Sequence, residues 1–144
     1  PGTEVAYDGG EYYSEQYGYE GEGVAEGALP LDAEVEDIFS LARHNKVDKV
    51  VALLERGVPV NCQDSMGNTV LSIACQNGLK RMLKAALRRG ADMDITNIHG
   101  NTPLHFTFQY GYGDTLGAYL ISKGADASVR NMAGQTCYEI AVRK

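Results

Sequence analysis

The chain has 144 residues, a formal net charge of −6 and three cysteines. That length suits a single domain, and an odd cysteine count without Cys-x-x-Cys spacing argues against a disulfide framework or a structural zinc site. The overall acidity argues against nucleic acid as a partner, and no apolar run approaches membrane-spanning length.

Residues 1–28 are rich in Gly, Glu and Tyr and hold seven acids, Glu4, Asp8, Glu11, Glu15, Glu20, Glu22 and Glu26, with no lysine or arginine. The other twelve acids and thirteen bases leave the rest of the chain at about +1. Such a segment buries too little apolar surface to offset its ordering entropy, so it is predicted to be disordered in isolation. Its five tyrosines within thirteen residues, Tyr7, Tyr12, Tyr13, Tyr17 and Tyr19, are anchors of the kind interfaces favour. Two readings stay open: a segment that orders on a partner, or a solubilising tail. With neither a basic region nor an apolar segment it is no signal peptide, and an intracellular, reducing compartment is expected.

From Leu31 the hydrophobic period becomes helical. Segments 34–43 and 47–56 are predicted to pair, with Val35, Ile38, Leu41 and Ala42 on one inner stripe and Val47, Val50, Leu53 and Leu54 on the other. Further pairs are predicted at 70–77 with 80–89 and at 103–110 with 115–122. In a last helix starting after Thr136, Ile140 and Val142 have no second helix within the sequence to cover them. Between the pairs, Asp64-Ser65-Met66-Gly67, Asn97-Ile98-His99-Gly100 and Asn131-Met132-Ala133-Gly134 each place a turn-tolerant residue three before a glycine able to take positive φ.

The turn glycines Gly67, Gly100 and Gly134 are spaced by 33 and 34 residues, and Gly57, Gly90 and Gly124 form a parallel series. In Thr102-Pro103-Leu104-His105 the threonine is placed to cap a helix, and proline takes the first helical position, where no N–H is needed. A period of about 33 residues with this motif at a helix start resembles the ankyrin repeat, over roughly Leu31 to Lys144. The resemblance implies an all-α repeat solenoid of stacked helix-turn-helix units with projecting β-hairpin fingers, preceded by the acidic tail. The boundaries read as a flexible tail at 1–28 and a repeat domain at 29–144, with repeats near 31–63, 64–96, 97–130 and a partial one at 131–144. The first lacks the motif, as a capping repeat would. The second and fourth keep the threonine but carry Val70 and Ser72, or Cys137 and Tyr138, within the motif.

In the family the His105 imidazole bonds to the neighbouring hairpin backbone, so it is read as structural. The resemblance also implies a non-catalytic module that binds a partner protein through a concave face of fingers and inner helices. Carried onto this chain, the candidate contact residues are Arg43, His44, Ser65, Met66, Asn68, Gln76, Asn77, Ile98, His99, Asn101, Gln109 and Tyr110. Met132, Ala133, Gln135 and Arg143 continue the set in the last repeat. A second reading is an architectural subunit of a large cytoskeletal or ciliary assembly, its tail ordered on neighbouring chains.

No catalytic set emerges. The histidines His44, His99 and His105 each have a surface or structural explanation, Cys75 falls at a small-residue position of an inner helix where burial is the ordinary state, and the glycines form no phosphate loop. No cofactor is expected. Lys80, Arg81, Lys84, Arg88 and Arg89 are uninterrupted by acids, with Lys80, Lys84 and Arg88 on one helical face. They read either as a solvated convex face or as a site for an acidic partner, the chain's own amino-terminal segment included. Repeat three has one extra residue near Gly111-Tyr112-Gly113 and carries Phe108 where repeat two has Cys75; the space beside Gly117 is expected to receive that ring, with an aromatic surface of Tyr110, Tyr112 and Tyr119 as the alternative.

Overall fold

The computed structural model describes the backbone of residues 31–142 and the side chains of residues 37–140; the expectations for segment 1–28, for Val35 and for Arg143 lie outside them. Helices α1 (Leu31–Arg43) and α2 (Val47–Glu55) are joined by a tight turn in which Asn45 takes φ +58°, a left-handed conformation asparagine tolerates better than most residues. Repeat two supplies α3 (Val70–Asn77) and α4 (Lys80–Arg88), joined through Gly78 at φ +69°. Repeat three supplies α5 (Pro103–Gln109), a π-helical turn (Gly113–Gly117) and α6 (Ala118–Ser122), and α7 (Cys137–Val142) follows.

Inner helices α1, α3, α5 and α7 pack successively, and the outer helices stand behind them, with α2 against α4. The core therefore runs the length of the stack, as in a solenoid. Ile38, Leu71, Ile73, Met82, Leu83, Leu104 and Leu120 are fully buried along it, each worth about 1.5–3 kcal/mol of burial. Phe39, outside the predicted stripe, is buried too, whereas Leu41 is only half-buried.

Three inner helices open on the same reciprocal cap with three different partners for the threonine. Thr69 N–H donates to Ser72 Oγ (2.7 Å) and Ser72 N–H to Thr69 Oγ1 (3.1 Å). Thr102 N–H donates to His105 Nδ1 (3.1 Å) and His105 N–H to Thr102 Oγ1 (3.3 Å). Thr136 N–H donates to Glu139 Oε1 (2.9 Å) and Glu139 N–H to Thr136 Oγ1 (3.3 Å). Each pair satisfies two N–H groups that a helix start otherwise leaves open. The imidazole also reaches the next finger: its Nε2 lies 2.9 Å from the Gln135 carbonyl. Because Nδ1 accepts from Thr102, the ring proton sits on Nε2.

The extra residue of repeat three is taken up by the π-turn, where Gly117 N–H reaches back five residues to the Tyr112 carbonyl (2.9 Å). Helical backbone thus begins at Gly113, two residues before the expected position, and turns α-helical only at Ala118. The Phe108 ring fills the space that glycine leaves: a Cβ on Gly117 would stand 2.9 Å from Phe108 Cε1, and one on Gly113 2.6 Å from Cδ2. Tyr112 lies across Gly78 of the preceding repeat, where a Cβ would meet its ring at 2.5 Å.

Candidate partner-binding surface

Each finger is a short turn folded on its own first side chain. Asp64 Oδ1 accepts from the N–H groups of Met66 (2.9 Å) and Asn68 (2.8 Å). Asn97 Oδ1 does the same for His99 and Asn101, and Asn131 Oδ1 for Ala133 and Gln135. One backbone bond closes each base, from Asp64 N–H to the Asn68 carbonyl (2.9 Å) in the first finger. With the turn closed so soon, the hairpins carry no extended strand among the described residues.

The fingers are also tied to one another. Ile98 N–H donates to the Met66 carbonyl and Met132 N–H to the His99 carbonyl, both at 3.0 Å. Beneath them Asn97 Nδ2 donates to Asn68 Oδ1 (3.3 Å) and Asn131 Nδ2 to Asn101 Oδ1 (2.8 Å). Gly67 and Gly100 allow the approach: a Cβ there would stand 2.9 Å from Asn97 Cα and 2.8 Å from the Met132 nitrogen.

This geometry divides the twelve residues expected from sequence. Arg43 pairs with Asp64 at 2.7 Å and so clamps α1 to the first finger. Asn68 and Asn101 belong to the amide ladder, and the Asn77 amide donates to the Ile73 carbonyl (2.9 Å). His44 Nδ1 lies 2.8 Å from the Ser40 carbonyl. Ser65, Met66, Ile98, His99 and Tyr110 remain exposed, Met66 at 44% and Ile98 at 52%, while Gln76 and Gln109 are half-buried. The Gln109 Oε1 is buried and accepts no hydrogen bond among the described residues. Met132, at 79%, extends the exposed row; Tyr138 is exposed as well, its ring edge-on to Phe108 at 5.0 Å. Tyr138 stands at the leucine position of the motif, and that substitution was the only signal for it.

On α4 the basic residues have separate fates. Arg89 pairs with Glu55 (2.8 Å) and Arg81 lies 3.8 Å from Asp48, so acids on α2 reach two of the five cations. Helix α4 itself carries no acid; α2, one repeat earlier, supplies both partners. Between α4 and α6 lies a groove of about 470 Å³ lined by Lys84, Arg88 and Lys123, with Tyr119, Leu87 and Met93 among its walls. Lys84 Nζ and Lys123 Nζ stand 5.2 and 5.4 Å from the centre of the Tyr119 ring.

The thiols of Cys62, Cys75 and Cys137 are buried, and desolvation pushes each up from its ordinary range, away from the nucleophilic thiolate. No group of three metal-binding side chains and no helix long and apolar enough to cross a membrane occurs among the described residues.

The sequence pattern of three ankyrin repeats matches residues 38–144. The chain belongs to the ankyrin repeat family. Ankyrin repeats are in general non-catalytic protein-interaction modules, and this one is similar to segments of much larger proteins. A palmitoyltransferase, Hip14, of Drosophila melanogaster is 33% identical over 107 residues, covering 72% of this chain and 16% of the relative. A human SH3 and multiple ankyrin repeat domains protein is 32% identical over 90 residues, covering 62% and 5%. An ADP-ribosylation factor GTPase-activating protein of Arabidopsis thaliana is 28% identical over 124 residues, covering 78% and 16%. The ankyrin chain thus spans no more than a sixth of these three relatives.

Proposed function

We propose that this ankyrin chain acts without catalysis, binding a partner protein through its finger face, with Met66, Ile98, His99, Tyr110 and Met132 as the contact row. The observation that carries this reading is the ladder of bonds beneath the row. Met66, His99 and their neighbours project from turns already fixed by their own Asp or Asn and by the adjacent finger. A surface ordered in advance gives up little entropy on binding, and exposed methionine, isoleucine and tyrosine supply apolar contact area.

The test is quantitative capture of partners from cell extract by the full chain and by a Met66→Ala, His99→Ala, Tyr110→Ala variant. All three side chains are solvent-facing, so the variant should keep its circular dichroism and unfolding midpoint. Partner binding is expected to weaken by about 2 kcal/mol or more, the scale of interface anchors. Unchanged capture by a folded triple variant would refute the assignment of this face.

A further inference from the structure

The groove between α4 and α6 shares no residue with the finger face, and its chemistry differs. Three cations, Lys84, Arg88 and Lys123, converge on it with no carboxylate in ion-pair reach among the described residues, whereas Arg81 on α4 and Arg89 at its C-terminal end have acid partners. Their mutual repulsion is left to an outside anion. The two ammonium groups flank the Tyr119 ring, and Leu87 and Met93 give the walls an apolar part. A ligand that fits carries carboxylates for the cations and a flat amphipathic ring for the apolar wall.

The chain itself contains such a sequence. Residues 11–22 carry Glu11, Glu15, Glu20 and Glu22 interleaved with Tyr12, Tyr13, Tyr17 and Tyr19, and no base. We propose that the groove is an intramolecular docking site for this acidic tyrosine segment. The tether permits it: the eight residues 23–30 that lead to α1 span up to roughly 27 Å when extended. From α1 the groove lies beyond α2 and α4, about two interaxial spacings of 8–10 Å away. A short tether also raises the local concentration of the segment to the order of millimolar, so the chain's own segment is favoured over an equal one on another molecule.

The test is zero-length carbodiimide cross-linking of the full chain at low concentration, with mapping by mass spectrometry. Links from Glu11, Glu15, Glu20 or Glu22 are expected at Lys84 and Lys123 in clear excess over the exposed reference lysines Lys46, Lys49 and Lys80. They should fall severalfold when salt rises to about 0.5 M, where charges are screened within a few ångströms. In an equal mixture of light and heavy-isotope chains the links should join peptides of one isotope. Arg88→Glu keeps both reactive lysines but reverses a cation at an exposed position, and it should cut the links severalfold. Even labelling of all five lysines, links of mixed isotope, or links unaffected by Arg88→Glu would each overturn the proposal. Mixed-isotope links would assign the groove to the segment of a second copy instead.

Discussion

His105 serves two masters, and a pair of substitutions separates them. The imidazole closes the cap of α5 through Nδ1 and ties repeat three to the next finger through Nε2, from a site that is 1% exposed. His105→Ala removes both bonds. The Thr102 N–H, in a residue 2% exposed, then lacks its acceptor, at a cost of about 1–3 kcal/mol, and the lost bond to Gln135 adds about 1 kcal/mol. The Gln135 carbonyl still accepts from Asn131 N–H at 2.9 Å, so no further penalty is counted there. The expected loss is about 3 kcal/mol before any packing term. His105→Ser installs the residue that repeat two uses at this position, where Ser72 Oγ accepts from Thr69 N–H at 2.7 Å. The serine variant should therefore regain about 1 kcal/mol, the worth of a cap, and still lack the inter-repeat bond. Urea unfolding followed by circular dichroism measures the losses, and hydrogen exchange in α7 reports whether the last helix loosens. Equal stability of the alanine and serine variants would refute the cap's contribution, and a serine variant as stable as the wild type would refute the tie between repeats.

Gly100 and Gly134 share nearly the same φ, +78° and +79°, but a Cβ on Gly100 would strike the Met132 nitrogen at 2.8 Å while one on Gly134 meets nothing within 4 Å. Gly134→Ala should thus cost about 1 kcal/mol of backbone strain and Gly100→Ala clearly more; equal unfolding midpoints would contradict the finger packing. The hydrogen bond from Thr136 N–H, with Arg130 nearby, holds the Glu139 carboxyl below its ordinary value. A depressed folded value gives stability that is present above the ordinary carboxyl range and is lost as pH falls through the folded value. The stability of α7 to hydrogen exchange should drop on acidification more in the wild type than in Glu139→Gln, and parallel pH profiles would count against the bond.

What the sequence made legible follows repeat spacing. The helix pairs, the threonine caps, the buried Cys75 and the Phe108 ring beside Gly117 all rest on local patterns or on one repeat compared with another. Contacts between repeats were harder to read. The clamp from Arg43 to Asp64, 21 positions away, was not foreseen, because a cation at a helix end carries no mark of which finger lies opposite. The ladder formed by Asn68 and Asn101 with the next finger's asparagines was not foreseen either, since an amide's pattern is the same whether its partner is inside the chain or outside. Lys123 joins Lys84 only through the stacking of α6 beside α4. Phe39 was missed because adjacent apolar residues, Ile38 and Phe39, leave the edge of a helical stripe undefined.

The π-turn of Gly113–Gly117 makes the outer layer an elastic margin. One surplus residue enters there and the pitch of the fingers is unchanged: the bond between the second finger and the third measures 3.0 Å, as does the bond between the first and the second. Length is absorbed in the layer that does not set the spacing of the fingers, because a wider helical turn takes the insertion locally. The inner layer behaves as a ruler and the outer one as slack, so this turn is the natural point at which to splice a reporter or a longer loop into the stack without altering the row of fingertips.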